Sequence, residues 1–119
     1  MQFQDERVLP AMKKFVLTFH MDPAKQATMS PEAGKDGQAQ FMAWAQDVAD
    51  RTVVPNTPCM NTHSVLDGQA TKGGGPNSMM GFTVIEAADM DAALEIAKAC
   101  PHQSMMGPMQ VAECMQLPG

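Results

Sequence analysis

Residues 13–20 have the clearest strand pattern in the chain, because they are rich in β-branched and aromatic side chains and are followed by Asp22-Pro23. Successive side chains of a strand point to opposite faces of its sheet. Alternation therefore divides this segment between two faces, with Phe15, Leu17 and Phe19 on one and Val16, Thr18 and His20 on the other.

Three further strands are predicted along the chain. Residues 81–87 repeat the β-branched and aromatic pattern, and residues 109–115 form the last strand. Residues 52–54 begin a short strand in which Pro55 and Pro58 soon follow. Because proline has no N–H to donate to a ladder, we expect this strand to lie at an edge of the sheet.

Between these strands, the short segments 63–66 and 69–71 flank Asp67-Gly68. An Asp-Gly pair between short extended segments favours a tight two-residue turn. The sequence therefore predicts an inserted β-hairpin, followed by a glycine-rich loop over 72–78.

Two helices are predicted. Ser30-Pro31 is typical of a helix start, but glycines at 34 and 37 weaken that turn, so we expect residues 21–37 to be loop and the firm helix to span 38–50. Its apolar stripe repeats with helical spacing: Phe41, Trp44, Ala45, Val48 and Ala49. A second helix over 90–99 is capped by Asp89 and stopped by Pro101.

The order of elements is β-α-β, an inserted hairpin, then β-α-β. It predicts an α+β fold of the ferredoxin-like βαββαβ type, with one antiparallel sheet and both helices on one face. The opposite face would then expose apolar side chains on a single copy. We expect a second copy to cover it, giving a homodimer with the form of a dimeric α-β barrel.

Composition limits the function classes. The chain has 119 residues, the size of one domain, and a net charge of -5 with scattered Lys and Arg, which argues against a nucleic-acid partner. No apolar run has the length of a membrane helix, and residues 1–11 lack the pattern of a signal peptide, so no membrane partner is expected. Cys59, Cys100 and Cys114 form no disulfide or zinc pattern and indicate reduced thiols in a cytoplasmic protein.

The segment from Gly81 to His102, a strand, an acid-capped helix and then Cys-Pro-His, resembles the corresponding part of YCII-related and DGPF-domain proteins. The opening strand from Met12, the Ser30-Pro31-Glu32 segment and the helix containing Phe41 and Trp44 are similar as well. The resemblance spans about 12–115. It implies a dimeric, ferredoxin-like α-β barrel over 12–119, preceded by an N-terminal extension at 1–11, with a ligand cleft between helix and sheet or between subunits.

The resemblance does not extend to the residues that carry the family's signature and its implied catalytic pair. The Asp-Gly-Pro-Phe signature is absent, and Gly74-Gly75-Pro76 occupies about that region. The YCII group has a histidine within its first helix, whereas this helix has none; Asp50 stands about where the family's aspartate would be. The family's implied catalytic pair is therefore not present as a unit. Members have been linked to lyase-like breakdown of aromatic compounds.

His20 is the leading candidate for chemistry, since it ends a predicted central strand on the face away from the helices, and a histidine can act as a general base near neutral pH. The predicted catalytic residues are His20 and Asp50, with His20 as the base and Asp50 or His63 assisting. The predicted ligand-binding residues are Thr18, His20, His63 and Trp44. No spacing of His or Cys predicts a metal site, no motif predicts a cofactor, and His102 is expected to cap the preceding helix.

Two functions remain open. The first is the binding of a small apolar or aromatic molecule in a cleft of the homodimer, which the 13 methionines favour because methionine suits adaptable apolar surfaces. The alternative is a lyase- or isomerase-type enzyme that uses His20 in acid–base chemistry. Replacing His20 by alanine is expected to reduce ligand binding or activity with little loss of stability.

Overall fold

The computed structural model describes residues 12–116, which form six strands and four α-helices. In chain order they are β1 (Lys13–Met21), α1 (Pro23–Ala27), α2 (Pro31–Asp47), β2 (Thr52–Pro58), β3 (His63–Leu66), β4 (Gln69–Lys72), β5 (Ser78–Ala87), α3 (Met90–Lys98), α4 (His102–Met105) and β6 (Met109–Glu113), with a 3-10 turn at Ala49–Arg51 before β2. The predicted extension at residues 1–11 lies outside the described residues. No helix in the described part is long and apolar enough to cross a membrane.

The main sheet has four strands in the order β2-β5-β1-β6, and every neighbouring pair is antiparallel. Strands β3 and β4 pair only with each other as a separate hairpin. Two interleaved strand–helix–strand halves give this order, which is that of a ferredoxin-like sheet. The predicted α+β fold, with its inserted hairpin and β2 at an edge, is confirmed.

One face of the sheet forms the core. Phe15, Leu17 and Phe19 of β1 are buried beneath the helices, as the alternation predicted. Trp44 of α2 and Ile96 of α3 pack against this face. Each fully buried side chain of this size stabilises the fold by roughly 1.5–3 kcal/mol.

The other face has no helix over it in the described part of the chain. Val16, Phe82 and Val84 lie on this face and are only half-buried, while Thr18 and His20 lie beside them. A sheet face with three large apolar side chains in its central strands is thus left open to water.

The start of the first helical region differs from the prediction. Residues 21–37 were expected to be loop, but α1 and the first turns of α2 lie there. Asp22 accepts a hydrogen bond from the backbone N–H of Ala24 at 2.9 Å, and Ser30 accepts one from that of Ala33 at 3.1 Å. These caps, with proline at the start of each helix, satisfy amide groups that would otherwise lack partners. The loop prediction was therefore wrong.

The far end of α2 also differs, because the helix stops at Asp47 and Asp50 lies in the following 3-10 turn rather than in the helix. Helix α4 was not predicted either; it occupies the segment after Pro101, for which the sequence predicted no helix or strand. Four-residue helices carry too little apolar periodicity to be recognised from sequence.

The hairpin turn is as predicted. Asp67 and Gly68 both have positive φ angles, 51° and 76°, which are the conformations required in a tight turn of this kind. Every residue of β3 and β4 is exposed.

Candidate ligand-binding cleft

A cleft of about 350 Å³ lies on the helix side of the sheet, between α2, α4 and the ends of the sheet strands. Its walls are formed by Phe19, Gly37, Gln38, Phe41, Asn56, Pro58, Met80, Gly81, Pro101, His102, Met105 and Met106. None of these is an aspartate, glutamate, lysine or arginine. The cleft is therefore apolar and uncharged, with two amides and one imidazole as its polar side chains.

The floor of the cleft depends on Gly37 of α2. A Cβ atom at this position would lie 3.1 Å from Cε of Met106 and 3.5 Å from Cε of Met105. The methyl groups of Met105 and Met106 therefore pack against the glycine backbone, and any side chain at this position would have to displace that of Met106. Glycine in a helix interior costs about 1 kcal/mol relative to alanine, so this close packing of the methionines is kept at a cost in helix propensity.

An irregularity between β1 and β5 forms another wall. Phe19 pairs with Gly81 and the next residue, His20, pairs with Met79, so Met80 is an extra residue on β5. Such a bulge re-aims side chains locally. Here Met80 and Gly81, adjacent in sequence, both line the cleft.

His102 is the buried polar residue of the cleft, with 7% of its surface exposed. Its Nε2 lies 2.8 Å from the carbonyl oxygen of His20, and its ring meets the edge of Phe19 at a centroid distance of 5.3 Å. Because a carbonyl oxygen only accepts, Nε2 must carry the proton, and Nδ1 of the neutral ring then has a lone pair. Burial lowers the pKa of His102, although the His20 carbonyl opposes this shift, so the ring is neutral near pH 7.

The chain segment that carries His102 is fixed to the end of β1. The backbone N–H of His20 donates to the carbonyl oxygen of Pro108 at 3.0 Å. A Cβ atom at Gly107 would collide with the His20 carbonyl oxygen, so only glycine allows this approach. The His20 carbonyl group therefore contacts both the imidazole of His102 and the backbone at Gly107, and these contacts hold the ring in position.

His20 and Thr18, both predicted ligand-binding residues, lie together on the open face of the sheet and not in the cleft. Nε2 of His20 is 2.8 Å from Oγ1 of Thr18, and Nδ1 is 3.1 Å from the carbonyl oxygen of Asn77. Because a carbonyl oxygen only accepts, Nδ1 donates to Asn77, while Nε2 pairs with the threonine hydroxyl, which can donate or accept. Neither partner is a carboxylate.

Asp50 and His63 are not brought together with His20. Asp50 is exposed and lies beside Arg51, at the end of the sheet where Thr52 pairs with Ile85. His20 pairs with Met79 at the other end of β5, and six strand residues span roughly 20 Å. His63 is exposed on the hairpin, with its Nδ1 2.9 Å from the carbonyl oxygen of Asn61.

Trp44, the remaining predicted ligand-binding residue, is buried in the core. Its indole N–H donates to the carbonyl oxygen of Ile96 at 3.0 Å, which joins α2 to the end of α3. Its exposed edge lines a groove of about 800 Å³ between these helices rather than the cleft. The roles assigned to Thr18, His20, Asp50, His63 and Trp44 stay predictions.

The other side chains that could bind a metal ion or act as nucleophiles do not form a cluster. In residues 12–116 no three His, Cys, Asp or Glu side chains lie close enough to hold a metal ion. Cys100 is buried, and burial raises the pKa of its thiol to about 11, so it stays protonated at neutral pH.

His102 was not among the site residues predicted from the sequence. We expected it to cap the preceding helix, but its ring bonds to β1, 82 residues away in the chain. In the sequence, Gly107-Pro108 indicates only a loop before the last strand. The close approach of Gly107 to β1, which positions the histidine, depends on the tertiary fold and has no local signal.

The comparisons with known proteins bear on the fold. No family model matches the chain, and no curated protein matches it. Among solved structures, the chain is similar to 5-chloro-2-hydroxyhydroquinone dehydrochlorinase (TftG) from Burkholderia phenoliruptrix AC1100, in complex with 2,5-dihydroxybenzoquinone. The TM-score is 0.57 at 13% identity, over 86% of this chain and 93% of that chain. The similarity places this chain in the same α-β barrel fold class and shows the fold alone.

Proposed function

We propose that the protein binds a small, uncharged apolar or aromatic molecule in the cleft between α2, α4 and the sheet. The observation that carries this proposal is the cleft itself, with its apolar walls and about 350 Å³ of space. Ligand pockets in proteins begin at roughly 300 Å³, so this volume suits a molecule of one or two rings.

The chemistry of the walls supports the ligand class. Met80, Met105 and Met106 supply polarizable sulfur atoms, and thioether–aromatic contacts contribute roughly 0.3–1.5 kcal/mol each. Phe19 and Phe41 supply ring faces and edges for aromatic packing. A carboxylate or phosphate would enter without a counter-ion, and burying an unpaired charge is costly.

The family assignment is part of the same proposal. The resemblance of residues 12–115 to YCII-related proteins is supported by the ferredoxin-like sheet order and by the likeness to the dehydrochlorinase structure. That protein's structure contains a hydroxylated quinone, a small ring compound of the size that the cleft here would accept.

We also propose that the protein works as a homodimer in the cytoplasm. The half-buried apolar side chains of Val16, Phe82 and Val84 on the open sheet face support this assembly, because a second copy would remove them from water. Sheet-to-sheet packing of two such domains would give the dimeric α-β barrel of the family it resembles.

Replacing Gly37 by leucine tests the cleft as the binding site. With naphthalene as the probe and methionine methyl groups labelled with ¹³C, we expect the wild-type signals of Met80, Met105 and Met106 to shift on binding. Gly37→Leu adds a bulky side chain to the cleft wall and displaces the Met106 methyl group, so it should weaken binding by at least about tenfold. Gly34→Leu, in the same helix but with no atom within 4 Å of the added Cβ, should leave affinity within about twofold.

The methyl groups of Met60 and Met115, which are 88% and 82% exposed, serve as internal controls and should not move. Equal affinity of the two leucine variants would contradict the proposal. So would naphthalene shifts confined to methionines outside the cleft.

An enzymatic role for His20 is the second candidate, favoured by its hydrogen-bonded pair with Thr18 on the face that a partner subunit would cover. The two candidates give opposite expectations for His20→Ala. If the cleft is the site, naphthalene affinity stays within about twofold, because the His20 carbonyl that holds His102 is backbone. If the His20 face is the site, His20→Ala loses naphthalene binding while its midpoint of urea unfolding is unchanged.

A further inference from the structure

In the neutral ring of His102, Nε2 makes a hydrogen bond within the protein and Nδ1 does not. Nε2 donates to the His20 carbonyl oxygen at 2.8 Å. Within residues 12–116, Nδ1 has no hydrogen-bond partner, although the residue is 93% removed from solvent by the fold. An acceptor without a protein donor, on a ring that lines a cleft, is available to a molecule that enters the cleft.

We propose that Nδ1 of His102 accepts a hydrogen bond from the hydroxyl group of the bound molecule, and that the natural ligand is therefore a neutral phenol. This inference rests on the proposed function, since it assigns a ligand class to the same cleft. The ring is a wall of the cleft, and its other nitrogen is fixed by the fold, so the tautomer that accepts at Nδ1 is set before the ligand arrives.

Other ligand chemistries fit the cleft less well. A ketone, ether or quinone oxygen has no proton to offer to the Nδ1 lone pair. A carboxylate would be charged near pH 7 and would meet no lysine or arginine among the lining residues. The amides of Gln38 and Asn56 lie on exposed positions, where water competes for their hydrogen bonds. An aromatic hydroxyl satisfies the buried acceptor and keeps the rest of the ligand apolar.

The experiment compares two probes that differ at the hydroxyl group: 2-naphthol and its ether 2-methoxynaphthalene. Affinities for the full chain are measured by titration of the ¹³C-methyl signals of Met80, Met105 and Met106. We expect the wild-type protein to prefer 2-naphthol by about threefold to tenfold, the range of one hydrogen bond in a buried site.

Two substitutions of nearly equal shape isolate the acceptor. His102→Asn and His102→Leu both lose the Nε2 donor to His20, but asparagine can keep an oxygen at the position of Nδ1 whereas leucine has a methyl group there. The asparagine variant should keep the preference for 2-naphthol, and the leucine variant should bind the two probes with affinities within about twofold of each other.

The outcomes separate the two proposals. If wild type binds neither probe, the cleft proposal itself fails. If it binds both equally, or if His102→Leu keeps the same preference as His102→Asn, the cleft holds but the phenol assignment is overturned. If both variants fail to fold, which a loss of dispersion in the methyl signals would show, the phenol assignment is judged from the wild-type protein alone. The deciding quantity is then the ratio of its affinities for 2-naphthol and 2-methoxynaphthalene.

Discussion

At the scale of single residues, the imidazole of His102 joins two parts of the molecule that are distant in sequence. It contacts the ring of Phe19, bonds to the backbone at His20 and lines the cleft. The same side chain therefore contributes to the stability of the β1 end and to the polarity of the site. Its protonation should affect both.

Stability should fall at acidic pH because of His102. Burial lowers its pKa in the folded protein, so between that value and the ordinary histidine value of about 6.5 the unfolded chain binds more protons. The contribution is fully present above the unfolded value and is lost as the pH falls towards the folded one. Urea unfolding at pH 7.5 and 5.5 should show a larger loss for wild type than for His102→Gln, which keeps a donor for the His20 carbonyl.

Two other titratable groups lie near His102. His20, whose charge contributes to the lowered pKa of His102, is retained in both proteins, and Cys100 stays a neutral thiol over the whole range because burial raises its pKa to about 11. Identical pH slopes for the two proteins would show that His102 does not favour its neutral form in the fold.

Predictions for single residues were correct where the regular alternation of side chains along a strand determines which face each residue lies on. The alternation from Phe15 to His20 correctly placed the core side chains of β1, because the side-chain period of a strand is fixed by its backbone. Cleft residues such as Gly37 and His102 share no period. They meet because helices and strands far apart in sequence converge at one end of the sheet, and only the tertiary structure specifies that meeting.

At the scale of elements, α2 shows how a cap can outweigh weak interior residues. Ser30 and Pro31 begin the helix despite the glycines at 34 and 37. The sequence signal for this start was visible, but the cost of the two glycines was given too much weight against the cap and the packing of the later apolar stripe. Helix propensity is a small term that tertiary contacts override.

Ser30→Ala should destabilise the protein by roughly 1 kcal/mol, because the backbone N–H of Ala33 loses the serine oxygen that accepts its hydrogen bond. Urea denaturation followed by circular dichroism measures the change. As a comparison, Gly34→Ala should stabilise by up to about 1 kcal/mol, since the added Cβ meets no atom within 4 Å. An unchanged midpoint for Ser30→Ala would mean that α2 does not depend on this cap.

At the scale of the whole molecule, the sheet order and the layer of helices followed from the order of elements in the sequence. The proposed dimer depends on the face that this arrangement leaves open. Val84 lies on central strand β5 and pairs with Val16 of β1, so the middle of that face is apolar. A second copy placed there would also enclose His20 and Thr18.

Val84→Lys should therefore convert the dimer to a monomer. Each protomer has a mass of 12.8 kDa, and sedimentation velocity should give about twice that value for wild type. A lysine at the centre of a packed interface leaves a charge without a partner, which disfavours association strongly. Leu94→Lys, on the outer surface of α3 and 38% exposed, introduces the same charge away from the sheet and should leave the dimer intact. A wild-type protein that sediments as a single protomer would contradict the assembly.

The projecting β3–β4 hairpin also affects how this sequence can vary. Since every residue of its two strands is exposed, changes there leave the packing of the domain nearly untouched, and the turn at Asp67-Gly68 closes the segment locally. Mutations can accumulate in this segment faster than in the sheet without unfolding the protein. The same property makes the hairpin tip a suitable position for grafting a foreign epitope onto the domain.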